Sequence, residues 1–387
     1  MTDYATYARQ LRQELHQYPE IGFDLPKTLA VVKRELDTMG IAYTEKYGRS
    51  SVVATINEEK DHFTIGFRAD MDALPIQEAD DGRACRSLHD GKMHACGHDV
   101  HTANLLAVAR RLKDMQEQIR CRIKLLFTPA EEYITPGCKE MAEDGVMDDI
   151  DCIVACHCDP MFDVGTVAVD AGGQGANSMG FTVDFYGTSA HAHQQHRGKD
   201  AIAMAVQAYA AMELMVAKEF NPVDPVLLNI GAIRGGQTDN VICDHCWMFG
   251  SARTQTDENS EKLIHRIREV CQGIAALQGG RAEVKVTKFL PFVINDATVT
   301  GKVRAAAEKV VGRDKILCKP RSMGGEDFSF LCQKKPGMIF RLGTKGEDPA
   351  THLPLHNRAV NFDEGCFQVA SDIFVQFVLD NMNGIDF

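Results

Sequence analysis

At 387 residues the chain is too long for one comfortable hydrophobic core and suits two domains. A net charge of -12 on an ordinary globular composition argues against a nucleic-acid or anionic-membrane partner, though local arginines can still grip an anionic substrate. Thirteen cysteines in so long a chain, behind an N-terminus (MTDYATYARQLRQELHQ) without an apolar signal region and with no window expected to span a bilayer, point to free buried thiols in a reducing cytoplasm rather than a disulfide scaffold.

Tyr4, Tyr7, Ala8, Leu11 and Leu15 recur at helical spacing and predict an amphipathic first helix. Two prolines in HQYPEIGFDLPKT break it, and a second helix is expected from about Thr28 to Met39. SVVATI and FTIGFRADMDALP read as buried strands, the second ending in a carboxylate-rich loop. MHACGHDVHT leads into the apolar helix TANLLAVARRLKDM, whose first turn lies at or just after His98. CRIKLLFTPAEE is a strand ending in acids, and DCIVACHCDP a strand ending in His157. Strands alternating with helices imply an α/β sheet, where ligands lie beyond the carboxyl ends of the strands. That rim would gather Asp70, Asp72, Cys96, His98, Glu131, Glu132 and His157.

The texture changes near Gly172–Ser178. MGFTVDFYG (strand), DAIAMAVQAYAAMELMVAK (helix), PVLLNIGAIRGG and CWMFGSART (strands), SEKLIHRIREVCQGIAAL (helix) and AEVKVTKFLPF (strand) give a β-α-β-β-α-β order, as in a ferredoxin-like module. The expected organisation is an inserted domain over 178–291 within a discontinuous domain, 1–177 and 292–387, to which VTGKVRAAAEKVVG and FQVASDIFVQFVLDNM return as helices. GGQGAN contains a G-x-G after a strand, but serine fills the last fingerprint position and a strand follows, so a hinge is expected rather than a dinucleotide site.

Cys96 and His98 stand one residue apart before a helix and can turn toward one point. Glu131 and Glu132 follow an apolar strand, a poor place for two acids unless a cation sits opposite, and His356 lies in the proline-flanked loop HLPLHN. Thiolate, imidazoles and carboxylates from separate strand ends suit an open catalytic site for zinc, manganese, cobalt or nickel. Adjacent side chains on extended backbone point opposite ways, so one glutamate can bind metal while the other faces a water as general base. A cysteine hydrolase using Cys96 with His98 or His101 leaves both glutamates without a role. GTSAH lacks the last glycine of a serine nucleophile elbow. A non-catalytic, metal-holding protein that captures amino-acid conjugates is the other alternative. In the insert, His191, Asn240 and Arg253 would form either a solvated polar loop region or a lid in which His191 polarises a carbonyl and Arg253 and Asn240 hold a carboxylate.

With these residues in place, the chain resembles the amidohydrolase branch of the aminoacylase/carboxypeptidase metallopeptidase family, on FRADMDALPIQE, MHACGHDVHTANLL, LLFTPAEE, GTSAHA, TDNVI, GGEDF and HLPLHNRAVNFDE. The resemblance implies a zinc-peptidase-like catalytic domain, with a mixed sheet flanked by helices, and an α+β lid that also pairs two subunits. It implies two divalent ions on Cys96, His98, Glu132, His157 and His356, with Cys96 able to bridge them, and Glu131 as general base. His191 would stabilise the oxyanion, often from a neighbouring subunit; Asn240, Arg253 and Gly325 would bind substrate, and Asp72 would stand behind the ligands. The expected reaction is hydrolysis of N-acyl or N-aroyl amino acids of the aminobenzoyl-glutamate, hippurate or acetyl-amino-acid type. Ser189-Ala190 replace a usual glycine pair, Gln195 a proline, and Cys243 a proline, which bears on substrate preference and not on the hydrolytic core.

Overall fold

The computed structural model describes residues 3–83, 85–133, 135–320 and 322–387. Along the chain the strands are β1 (Ala42–Thr44), β2 (Val52–Ile56), β3 (Thr64–Asp70), β4 (Arg122–Thr128), β5 (Cys152–Asp163), β6 (Val167–Ala168) and β7 (Gly172–Gly173). β8 (Asn177–Tyr186), β9 (Val226–Gly235), β10 (His245–Thr254) and β11 (Arg281–Leu290) follow, then β12 (Ile294–Asn295), β13 (Ile316–Leu317) and β14 (Gly337–Lys345). The helices are α1 (Tyr4–Gln17), α2 (Pro26–Met39), α3 (His98–Asp114), α4 (Gly137–Glu143), α5 (Ala201–Glu219), α6 (Asp257–Leu277), α7 (Ala297–Val311), α8 (Ser329–Cys332) and α9 (Cys366–Asn381). The chain forms two compact units: Met1–Gln174 with Val293–Pro320 and Asp327–Phe387, and Gly175–Phe292 with Arg321–Glu326.

The first unit is built on a mixed eight-stranded sheet, in the order β1-β2-β4-β3-β5-β14-β6-β13. At its centre β4, β3, β5 and β14 run parallel. Parallel strands must be covered on both faces, and β3 accordingly is buried at every position. One face packs Phe67, Phe127 and Phe340 against Phe374 and Phe377 of α9; the other is filled by Leu126, Met141, Ile153, Phe328 and Ile339. Phe67 meets Phe374 edge-on, with ring centroids 4.9 Å apart. Because β3, β4 and β5 run the same way, their carboxyl ends open on one rim.

Three expectations change here. The central strand β14 is absent from the sequence-based reading, although GMIFRLG is a short apolar run of the kind a buried parallel strand shows. His157 does not end its strand: β5 continues to Asp163 because β14 keeps pairing alongside it, through Gly343↔Asp159 and on to Lys345↔Asp163. Residues 322–326, placed with the metal-binding domain from sequence, belong to the second unit: Ala176 donates to Gly324 O at 2.9 Å. There a side chain at Gly325 would meet Leu290 Cδ2 at 2.8 Å and Ser178 Cβ at 3.3 Å.

The second unit is an antiparallel sheet in the order β11-β8-β10-β9, joined in the β-α-β-β-α-β sequence of ferredoxin-like folds. Alternate residues of β8 and β10 (Phe181, Val183, Phe185, Cys246, Met248, Ala252) are buried with Met204, Ala208 and Met212 of α5 and Leu263 and Ile267 of α6. A further expectation fails at α5, which by length and composition alone could cross a membrane. Here its buried stripe forms the core of this unit, while Ile202, Val206 and Tyr209, at helical spacing, stay exposed.

Candidate metal centre

The ends of two parallel strands, the middle of a third and two loops supply the rim. β3 passes through Asp70 to Asp72, β4 through Ala130 to Glu131 and Glu132, and β5 carries His157. Gly97, the residue before α3, has φ 89°, and a Cβ there would sit 3.1 Å from both Cys158 and Phe362. A glycine is therefore required between Cys96 and His98, and its left-handed turn lets both flanking side chains face inward. The His356 loop is tied on by its own N–H, which donates to Ala95 O at 2.8 Å. Ala130 (φ 58°) and His356 (φ 65°) hold left-handed backbone without being glycine. Such strain costs on the order of 1–3 kcal/mol and clusters at functional sites.

The donor atoms of Cys96, His98 and His157 lie within 4.8 Å of one another, and so do those of Cys96, Glu132 and His356. Cys96 belongs to both sets, with Sγ 3.6 Å from His157 Nε2. Glu131 forms a third set with His98 and Glu132. The five ligand candidates and the base candidate thus come together in one place.

The hydrogen bonds around them fit a divalent cation. His98 Nδ1 donates to Asp72 O at 2.8 Å, and His157 Nδ1 donates to Cys158 O at 2.7 Å. Each imidazole therefore spends its Nδ1–H on a carbonyl and turns its Nε2 inward, as metal-binding histidines do. Burial opposes protonation of His98, but Asp70 and Cys96 outweigh it and hold its pKa well above the usual value, so a bound cation would take the place of that proton. His98 Nε2 is buried without a hydrogen-bond partner among the described residues. His356 Nε2 approaches Glu132 Oε1 at 2.9 Å without the alignment of a hydrogen bond, as two ligands of one ion would. Burial, with Arg341 nearby, pushes the His157 pKa well below its usual value and keeps the ring neutral. Burial and the Glu132 charge push the Cys96 thiol well up; a bound cation would reverse that and favour thiolate. Burial opposes ionisation of Glu132, but His356 and His98 outweigh it and hold the carboxyl below its ordinary range.

Asp72 stands behind this layer. Its two carboxylate oxygens accept the backbone N–H groups of Glu131 (2.9 Å) and Glu132 (3.2 Å), and Oδ1 lies 3.5 Å from His98 Nδ1. Asp70 is otherwise engaged: Arg68 donates to it at 2.7 Å and His101 Nδ1 at 2.6 Å. His101 Nε2 accepts the Cys158 N–H at 2.9 Å, so both its nitrogens are used and it cannot serve as base to a Cys96 nucleophile. Arg68 also donates to Asp327 at 2.5 Å, and both side chains are buried. Sequence reasoning missed this Arg68–Asp327 pair; its signal was an arginine inside an otherwise apolar strand, FTIGFRAD. It also missed Arg12 and His16, which reach Asp99, the neighbour of His98, at 2.9 and 2.8 Å from the buried face of α1.

The other predicted residues lie in the second unit, at two separate places. His191 and Asn240 lie on two paired segments beyond Tyr186 and His245, where His191 bridges Val241 and Ala192 donates to Asn240 O at 3.0 Å. A cleft of about 700 Å³, lined by Ser189, Arg234, Thr238, Cys243, His245 and Trp247, opens at that end. Arg253 and Gly325 both pack on Ser178 at the opposite end of the sheet. Eight residues of β10 separate His245 from Arg253, roughly 27 Å at about 3.4 Å per residue. Arg253 has no carboxylate partner among the described residues, and burial lowers its pKa below the usual arginine value.

Residues 66–380 match the model of peptidase family M20/M25/M40. This chain belongs to that family. Among its relatives, an N-acetyl-L-cysteine deacetylase of Bacillus subtilis is 37% identical over 361 residues, 93% of this chain and 85% of the relative. An N-acetyldiaminopimelate deacetylase of Anoxybacillus flavithermus is 32% identical over 371 residues, 95% of this chain and 96% of the relative. A crystal structure from Bacillus subtilis, described as a dinuclear metal binding peptidase of the M20 family, superposes with a TM-score of 0.82 at 31% identity, covering 97% of this chain and 98% of that one. The M20-family assignment makes the chain a hydrolase, and the fold is that of the family's α/β enzymes.

Proposed function

We propose that this chain hydrolyses the amide bond of N-acyl or N-aroyl amino acids, using two divalent cations held by Cys96, His98, Glu132, His157 and His356. The observation that carries the reading is the pair of imidazoles, His98 and His157, whose Nδ1–H groups are spent on carbonyl oxygens while both Nε2 atoms face one thiol. Bound cations of this kind supply Lewis acidity and bring the pKa of water to about 7. Glu131, held by its backbone N–H on Asp72, takes a proton from the attacking water and passes it to the departing amine. Arg253, lacking a carboxylate partner, receives the carboxylate of the amino-acid product. The relatives' names support an acyl amino acid as substrate, and hydrolysis assays identify the acyl group.

His191 donates to the scissile carbonyl oxygen as it becomes an oxyanion. Its distance along the sheet from Arg253 means that one copy of the second unit does not offer both groups to the same small substrate. We therefore assign His191 and Asn240 to the site of a second copy. β9 is an edge strand and α5 exposes Ile202, Val206 and Tyr209, an apolar surface suited to that pairing. A panel of acetyl-, benzoyl-, aminobenzoyl- and longer acyl-amino acids, assayed for free amine with added Mn²⁺, Zn²⁺, Co²⁺ or Ni²⁺, tests the reading. Release of amine from one class, abolished by chelator, is expected; metal binding without hydrolysis of any member would instead make the chain a binding protein.

A further inference from the structure

We propose that His193 is a positioning residue that fixes His191 as the Nε2–H tautomer, the form able to donate to a carbonyl oxygen; this rests on the role given to His191 above. His191 stands directly before the turn Ala192–Arg197, and its ring caps that turn: Nδ1 lies 3.4 Å from the backbone N–H of His193. A backbone N–H can only donate, so His191 Nδ1 carries no proton. The ring nitrogen Nδ1 of His193 approaches the same atom at 2.8 Å. Two imidazole nitrogens at that distance share one proton, and since His191 Nδ1 is already the acceptor, the proton belongs to His193. The single N–H of neutral His191 is then Nε2–H, on the far side of the ring. Neither histidine is ion-paired with a carboxylate among the described residues, so no charge competes for these protons.

Without the His193 side-chain donor at 2.8 Å, only the longer 3.4 Å contact from the His193 backbone N–H holds His191 Nδ1, and the ring can rotate about its Cβ–Cγ bond and populate the Nδ1–H form. That form turns a lone pair, not a donor, toward the carbonyl oxygen. The effect falls on the step in which negative charge develops, so it appears in kcat rather than in KM.

The test uses three variants of the full chain. His191→Ala should lower kcat about 100-fold or more, the usual loss for one oxyanion donor. His193→Leu, which keeps the bulk and removes the donor, should lower kcat about three- to tenfold with KM within about twofold, the scale of one ordinary hydrogen bond. His193→Asn, whose amide N–H falls where Nδ1 was, should restore most of that loss. A readout independent of activity is ¹⁵N NMR of the histidine-labelled, metal-free chain: His191 should be Nε2-protonated in the wild type and His193→Asn, and a mixture of tautomers in His193→Leu. If His191→Ala leaves turnover intact, the role of His191 falls and this inference with it. If His191→Ala is impaired while His193→Leu matches the wild type in kcat and in tautomer, only the inference falls.

Discussion

In the first unit, Cys96, His98 and His157 are 6%, 0% and 6% exposed, and each of the two imidazoles already has a carbonyl partner for the nitrogen it does not turn inward. In the second unit, His191, His193 and Asn240 stand exposed, and Arg253 finds a hydroxyl but no carboxylate among the described residues. Both regions present unsatisfied polar groups, yet for different reasons. A buried nitrogen without a hydrogen-bond partner costs free energy, and Asp70 Oδ2, 3.7 Å from His98 Nε2, favours positive charge there, so the first unit points to a cation. An exposed histidine costs nothing in water and states only a capacity. Under the proposed function, the groups of the second unit become a site only with a second copy of the chain.

The sharpest way to break this contrast is to remove the group proposed to move a proton without binding metal. Glu131→Gln should lower turnover by about 10²–10⁴-fold, the range for a general base, with two ions per chain still found by elemental analysis. Loss of metal along with activity would turn Glu131 into a ligand and leave the site without an identified base. Val206→Glu attacks the other region, placing a charge in the exposed apolar stripe of α5. It should yield monomers in sedimentation and, by withdrawing His191 from the partner site, lower kcat by about 10²–10³-fold. A monomeric variant with full activity would end the two-copy assignment.

Arg68→Met probes what holds the rim in place. It leaves Asp70 and Asp327 buried without their shared cation, and breaking a buried pair this way costs about 3–5 kcal/mol, measurable by urea unfolding. Asp72→Asn is milder. One amide oxygen replaces two carboxylate oxygens that receive the Glu131 and Glu132 backbones, so Mn²⁺ affinity in calorimetry should fall about 10–100-fold with the fold retained.

Much of this was legible in the sequence because most of the candidate ligands sit in short dense motifs near strand ends. Cys96, Gly97 and His98 are consecutive, and Glu131 and Glu132 follow an apolar run, so spacing and strand polarity suffice to gather them. What could not be read was set by contacts distant along the chain. The Arg68–Asp327 pair joins residues 259 apart and the Arg12–Asp99 pair residues 87 apart; an arginine in an apolar strand marks Arg68 as paired, but no local pattern names either partner. β14 escaped for a related reason: its short apolar run suits a strand, but it returns to the sheet centre after the whole inserted unit, so nothing nearby in sequence places it there. The continuation of β5 beyond His157 followed from the same omission, since β14 is the strand that extends it.

The smallest expected effect concerns His16, on the buried face of α1. Burial and the nearby Arg12 charge both oppose its protonation, but Asp99 at 2.8 Å and Glu78 at 3.1 Å outweigh them and raise its pKa above the ordinary histidine value. A group whose pKa is raised by folding stabilises the folded chain fully below the unfolded value and loses that contribution as pH rises through the folded value. The stability advantage of the wild type over His16→Gln should therefore be largest near about pH 5–6 and shrink at more alkaline pH, a change on the order of 1 kcal/mol. Urea midpoints measured at about pH 5.5, 7 and 9, either side of the ordinary histidine pKa, read this directly. An advantage that grew with pH would mean His16 is held neutral, a hydrogen-bond donor to Asp99 alone. The rim beside His98 would then be organised by Arg12 without help from a second cation.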